Sequence, residues 1–288
     1  MIKSITFLFL FFISCNLTCW AQDDLLDDLE AEAEDTSYEL PAFKAMRIVN
    51  LQSTKIAEKG DFYLYVSHRF SSVKDGFETF FGLDNANTRI QFVYSFLEGT
   101  QLSISRESYR QTYASSIKYR IVNQSNDFGF NVVGYHIANI NAEIDKDLFP
   151  DLEPSDRWSF AHQLLISRRF SEKFSFQLAP TYVRENLQDL RAVGGVNHNQ
   201  FALGGGGRFK LSKRISLNAD YVYNFNRDSD SIYNDPITIG IDIETGGHVF
   251  QILFSNAQST NEPGFISNAS GDWSDGNIFF GFNIVRVF

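Results

Sequence analysis

From residue 62 to the C-terminus, apolar and polar residues alternate with a period of two, and the alternation recurs in segment after segment. Phe62, Leu64, Val66, His68 and Phe70 take one face of the first segment, and Tyr63, Tyr65, Ser67 and Arg69 take the other. Ile90, Phe92, Tyr94 and Phe96 then alternate with Arg89, Gln91, Val93 and Ser95. Such a period belongs to pleated strands with two unlike sides. Twelve segments are read: near 62–70, 89–96, 100–109, 113–122, 127–138, 157–170, 174–184, 199–211, 214–226, 236–244, 246–256 and 277–288. Most are long enough to cross a bilayer, which takes a tilted strand about 9 to 11 residues. The even-numbered connections, "EG" at 98–99, "NQSN" at 123–126, "SEK" at 171–173, "SK" at 212–213 and "T" at 245, are tight turns. The odd-numbered ones, 71–87, 110–112, 139–156, 185–198, 227–235 and 257–276, are long in all but the second case. A water-soluble sandwich has no reason to sort its loops by length, whereas an outer-membrane barrel does. The expected fold is therefore all-β, a transmembrane antiparallel up-and-down barrel of about 12 strands, with short periplasmic turns and long extracellular loops. An even strand count places both ends of the sheet on the short-turn side.

The N-terminus agrees with an exported barrel. "MIKSITFLFLFFISCNLTCWAQ" has Lys3, an apolar run from Ile5 to Ile13 and a small-residue stop at Ala21. This is the pattern of a signal peptide, residues 1–21, cleaved near Ala21. A lipoprotein reading of "FISC", with Cys15 lipidated, is the weaker alternative, because Phe12 stands where leucine is usual. Cleavage at Ala21 removes Cys15 and Cys19, both of the cysteines. An exported chain then remains with no disulfide and no apolar run of 18 residues, and only a closed barrel would let it span lipid. Residues 22–60 read as an acidic periplasmic N-terminal extension, and 61–288 as the barrel. "DDLLDDLEAEAED" at 23–35 carries eight acids in thirteen residues and reads as a solvated lead-in. Leu25, Leu26, Leu29 and Ala33 would form one stripe if it were instead a helix for a periplasmic partner. The remainder of the chain is nearly balanced in charge, and no nucleic-acid partner is expected.

Phase assigns one face of the strands to the lumen. Arg89, Glu107, Lys118, Arg120, Arg169, Arg208, Asp220 and Asp242 fall there and are the candidate lining. Twelve tilted strands about 4.8 Å apart give a backbone diameter of roughly 25 Å and at most a channel of order 10 Å. A polar lining of both signs either encloses water or closes on itself by ion pairs. The expected function is accordingly a narrow pore for small solutes. The alternative is a closed structural or docking barrel that binds a partner through its long loops or its acidic segment. No cofactor, metal or catalytic site is expected. None of the five histidines is followed by Ser at the second position, as the lipid-facing site of a barrel phospholipase requires. His68, His136 and His162 fall on the outward face and read as interfacial residues, with a metal role for His136 and His162 the weaker alternative. "GGGG" at 204–207 lacks the Lys-Ser/Thr ending of a phosphate cradle and reads as a bend or a close approach within a strand. Pro180, also in mid-strand, should interrupt a hydrogen-bond ladder. The acid-rich loop from Asn139 matches no calcium-binding spacing.

Several stretches together, "FKAMRIVN" at 43–50, "SHRF" at 67–70, "FFGLDNANTRIQFVYSF" at 80–96, "KYRIVNQ" at 118–124, "GGHVFQILFSNAQ" at 246–258 and "GFNIVRVF" at the end, carry a resemblance. From residue 43 onwards the chain resembles an uncharacterised membrane β-barrel domain family of Gram-negative bacterial outer membranes. The resemblance implies the fold, an outer-membrane location, and contact with the lipid bilayer and lipopolysaccharide; it implies no activity. What barrel families share also implies that the terminal Phe288 is the signal read by the barrel-assembly machinery. Arg286 shares the lipid-facing phase, where arginine costs about 2 to 4 kcal/mol at mid-bilayer but about 0 to 1 near the interface. It therefore belongs at the short-turn rim.

Overall fold

A computed structural model describes residues 41–125, 127–187, 198–227, 231–245 and 248–288. The signal peptide, the acidic stretch 23–35 and the rest of the first 40 residues lie outside them. Twelve antiparallel strands form a closed barrel in chain order, with β1 pairing both β2 and β12. They are β1 (Phe62–Ser72), β2 (Ala86–Leu97), β3 (Thr100–Glu107), β4 (Thr112–Val122), β5 (Asn131–Asn141) and β6 (Trp158–Arg169). The second half is β7 (Phe174–Glu185), β8 (Asn199–Lys210), β9 (Ile215–Asn224), β10 (Ile237–Thr245), β11 (His248–Ser255) and β12 (Phe279–Val287).

Alternation fixes the register, because a slip of one residue would turn every apolar side chain inward. Ile104, Phe201 and their phase-mates are exposed on the outer wall, at 63% and 55% for these two. The tight Glu98–Gly99 turn is made by a glycine at φ +69°, a conformation that a side chain disfavours. Closure uses the last residues: the Phe288 N–H donates to the Phe62 carbonyl at 2.9 Å. Arg286 lies opposite Leu64 and His248 at the short-turn end, with its guanidinium 4.6 Å from the Phe288 ring. Pro180 leaves a gap in the β6–β7 ladder between Gln163–Thr181 and Ile166–Leu178, with no shift of register.

The fifth strand differs from expectation. The alternation predicts it at 127–138, and it runs from Asn131 to Asn141. Phe128 and Phe130 keep the alternating phase but belong to a wider turn, closed by the Ser125 N–H on the Phe128 carbonyl at 2.8 Å.

The larger difference concerns the segment before β1. The sequence predicts one periplasmic extension over 22–60, yet residues 42–53 other than Lys44 are buried within the barrel. They form a hairpin that enters from the short-turn end, where Lys44 meets Glu244 at 2.9 Å. It turns at 48–51, with the Ile48 N–H on the Leu51 carbonyl at 2.8 Å and the Ser53 N–H on the Met46 carbonyl at 2.9 Å. It then returns to the short-turn end, where the Gly60 N–H donates to the Ser95 carbonyl at 2.8 Å. From the long-loop end, the connection after β11 folds inward and carries a short helix, α1 (Glu262–Ser267), every residue of which is buried. Asn261 caps α1 by accepting from the Gly264 N–H, and Pro263 occupies the first turn, where its missing N–H costs nothing. The barrel interior is thus a packed core.

Candidate functional site: the filled lumen

The lumen holds the hairpin mainly by its backbone. Oδ2 of Asp220, on β9, accepts from the N–H groups of Val49, Asn50 and Leu51 at 3.0, 2.7 and 3.0 Å. Successive N–H groups at a tight turn converge on one point and form a concavity suited to an anion. Lys118, on β4, donates to the Met46, Ser53 and Lys55 carbonyls at 3.1, 3.1 and 3.3 Å. Gln251 reaches the Ile48 carbonyl at 3.0 Å, Gln177 the Gln52 carbonyl at 2.7 Å and Asn283 the Val49 carbonyl at 3.2 Å. Arg69 donates to the Asn50 side-chain oxygen at 2.7 Å, and the Ala57 N–H donates to Gln101 at 2.8 Å. Buried backbone groups must be paired, and here the wall's side chains pair them in place of a strand ladder.

Apolar packing completes the seat. Phe43, Ile48, Val49, Leu51 and Ile56 are at most 3% exposed and share one cluster with inward residues such as Val133, Leu165, Ala179 and Leu253. Each such side chain, fully buried, gains about 1.5 to 3 kcal/mol. "GGGG" takes its meaning here. Gly204 and Gly206 face inward, and a β-carbon on them would lie 3.0 Å from Leu51 Cδ1 and 2.8 Å from Ile48 Cδ1 respectively. These glycines leave room for the hairpin tip, the close approach that strand glycines mark.

That contact gives a test. Gly204→Val should displace the tip while the strands stay paired. Val49→Cys, in a chain with no other cysteine after residue 19, reports the displacement by its reaction with a water-soluble thiol reagent. Overpacking costs about 1 to 3 kcal/mol, so labelling should quicken roughly tenfold or more. Equal protection with and without Gly204→Val would show that the tip does not need the glycine.

The loop from the opposite end has its own anchors and meets the hairpin in the middle. Glu107, on β3, accepts from the Thr260 hydroxyl at 3.1 Å, from the Thr260 N–H, and from the Asn261 side-chain amide. Arg89 donates to the Thr260 carbonyl at 2.9 Å. The two inserted segments join at a buried ion pair, Arg47 to Glu262 at 3.2 Å, with side chains 3% and 0% exposed. Gln52 donates to Glu262 Oε1 at 2.8 Å and the Tyr135 hydroxyl to Oε2 at 3.0 Å, while Arg47 also reaches the Thr260 carbonyl at 3.0 Å. Glu262 and Arg47 thus have several partners each, as buried charges require.

Of the eight candidate lining residues, Arg89, Glu107, Lys118 and Asp220 hold the inserted segments. Arg208 pairs with Glu244 at 2.7 Å, and Asp242 accepts from Gln251 at 2.8 Å. Those two brace wall residues that in turn hold the hairpin, since Glu244 meets Lys44 and Gln251 meets Ile48. Arg120 and Arg169 stand at the short-turn rim, Arg120 on Glu98 at 3.1 Å and Arg169 on the Ser171 carbonyl at 3.3 Å. The sequence reading missed Arg47, Asn50, Gln52 and Glu262, which no spacing distinguishes. On the outward face His136 and His162 touch through their Nδ1 atoms at 2.8 Å, with the Tyr119 hydroxyl on His136 Nε2 at 3.2 Å. His136 lies at mid-strand and not near a rim. Among the described residues no group of three His, Cys, Asp or Glu is placed to hold a metal.

The family comparison agrees with this architecture. The family model described as "Membrane bound beta barrel domain (DUF5777)" matches residues 43–288, so the match begins within the hairpin and takes in the barrel. No curated protein matches the chain. The NanC porin is similar at 10% identity and a TM-score of 0.49, over 78% of this chain and 98% of that one. The KdgM porin is similar at 9% identity and a TM-score of 0.48, over 78% and 99%. The COG4313 outer membrane channel from Pseudomonas putida F1 is similar at 12% identity and a TM-score of 0.48, over 82% and 97%.

Proposed function

The chain belongs to this family of membrane-bound beta barrel domains, and we propose that it is an outer-membrane channel for small solutes, closed by its own N-terminal hairpin. Residues 1–21 direct export with cleavage near Ala21, the assembly machinery reads Phe288, and the long loops face the exterior amid lipopolysaccharide. The observation that carries the reading is how the lumen is filled. Its occupant is continuous with the N-terminus, enters from one end, and is bound by side chains to its backbone rather than as a thirteenth strand. Such an occupant can leave without breaking a single ladder of the barrel. Solutes pass when it does, along a wall that keeps Arg69, Lys118, Asp220 and Asp242 as polar contacts. No hydrolytic role is proposed, since the outward histidines have no serine nucleophile in their motifs.

Planar-bilayer recording of the mature chain and of a chain lacking residues 22–57 tests this. The mature chain should be nearly silent, and the shortened one should show steady conductance. Folded, heat-modifiable barrels that are both silent, and that stay silent when residues 259–268 of the inserted loop are removed as well, would exclude the channel. The second reading would then stand: a closed docking barrel that binds a periplasmic partner through the acidic segment or an external one through its loops. It is favoured by one observation, the second insertion carrying α1, which blocks the lumen from the other side.

A further inference from the structure

On the outer wall, small residues form the floor of a depression. Ser115 on β4 and Ala138 on β5 are direct cross-strand neighbours, and Ile104 and Phe160 flank them in the same row. The next row toward the long-loop end is Arg106, Tyr113, Ile140 and Trp158. Where the surrounding outward positions carry large side chains, these two carry a hydroxymethyl and a methyl. The result is a groove of about 620 Å³, walled by Ile90, Phe92, Ile104 and Trp158 and bounded above by Arg106 and Tyr113. That volume is within the range of specific small-molecule sites.

Arg106 sets the chemistry of the upper end. It is exposed, one residue from the end of β3, and its guanidinium lies 5.6 Å from the Tyr113 ring, a neutral support. Nε donates to the Tyr113 hydroxyl at 3.4 Å. A guanidinium fork is matched to phosphate oxygens, and a lipid-facing arginine stays hydrated only near the headgroups. An apolar groove running down the wall beneath such a cation has the form of a seat for one acyl chain with an anionic headgroup above it.

We propose that this groove is a specific site for the phosphorylated, multiply acylated glycolipid of the outer leaflet. One acyl chain lies over Ser115 and Ala138, and a phosphate is held by Arg106. The assignment to that leaflet rests on the orientation given above, with the long loops outside. Tyr113 fixes the arginine's direction, and the two small residues supply the depth that distinguishes a bound chain from the mobile lipid around the remaining wall.

The test uses the mature chain in detergent, with added lipid A or phosphatidylglycerol as probes and native mass spectrometry as readout. One lipid A per barrel should survive dilution. Arg106→Glu should weaken retention roughly tenfold or more, and Ser115→Phe should abolish it, because a ring there fills the groove. Both side chains face away from the lumen, so barrel formation, read by heat-modifiable gel mobility, should be unchanged. Arg106→Lys, which keeps charge without the fork, should fall between. Equal lipid A retention by the wild type and both variants would overturn the site. So would phosphatidylglycerol retained as well as lipid A, or a mass corresponding to two chains joined at this face. None of these readouts involves conductance, so a barrel that keeps its lipid and never conducts would sink the channel alone.

Discussion

Replacing Asp220 with alanine is expected to turn a silent barrel into a conducting one. One carboxylate oxygen of Asp220 receives three backbone N–H groups from the hairpin tip, the longest at 3.0 Å. With the carboxylate gone, those three donors are buried without an acceptor while the hairpin stays docked, and they regain water only when it leaves. Hydrogen bonds to a charged group are worth about 1.5 to 3 kcal/mol each, and they share one acceptor, so they do not add fully. A net shift of about 3 kcal/mol would move the docked-to-undocked ratio by roughly a hundredfold. Single-channel recording should then show frequent openings in Asp220→Ala, fewer in Asp220→Asn, which keeps an oxygen, and almost none in the parent chain. The wall itself should survive, because β9 keeps both neighbours through its backbone. A folded Asp220→Ala barrel that stays silent while the chain lacking the hairpin conducts would show that the anchor lies elsewhere, with Lys118 the next to examine.

The sequence made the wall legible and its contents nearly invisible, for physical reasons. A strand that spans a bilayer must alternate, since lipid and lumen impose opposite demands on its two faces, so the pattern from Phe62 onwards could be read residue by residue. The hairpin obeys no such rule. "FKAMRIVN" has no clean period, and its partners bind main-chain atoms that any sequence presents. One signal was available. Val133, Tyr135 and Ile137 share the inward phase of β5 with Asn131, and Ala161 and Leu165 share that of β6 with Gln163. An apolar stripe inside a barrel has no reason to face water and calls for an apolar occupant. The polar residues of the inward face, Arg89, Glu107, Lys118 and Asp220 among them, read in sequence as a channel lining. In the folded chain the same charges are the hooks that hold the occupant. The glycines at 204 and 206 were visible as an anomaly, but their reason, the bulk of Leu51 and Ile48, lies some 150 residues earlier in the chain.

Because the two inserted segments meet at Arg47 and Glu262, loosening one is expected to loosen the other. Removing one partner of a buried ion pair leaves a charge without compensation, at a cost of about 3 to 5 kcal/mol. Arg47→Ala strands Glu262 in the middle of the lumen, and Glu262→Ala strands Arg47; neither charge reaches water unless its segment moves outward. Residues 20–288 contain no cysteine, so thiol labelling can follow both segments, with Val49→Cys reporting the hairpin and Ile266→Cys the loop. Either single alanine should quicken labelling at both positions by roughly a hundred- to several-thousandfold. The double variant Arg47→Ala/Glu262→Ala should label more slowly than the two single effects would give if they added, since no lone charge remains. The sign of that difference separates an ion pair that joins the segments from two residues that merely pack. Arg47→Ala that exposes Val49→Cys but leaves Ile266→Cys protected would mean that hairpin and loop dock independently. If both respond, the coupling is reciprocal by thermodynamic necessity. Anything that drew the α1 loop outward at the long-loop end would then weaken the hairpin's hold by the same free energy, and extraction of the hairpin from the short-turn end would free the loop.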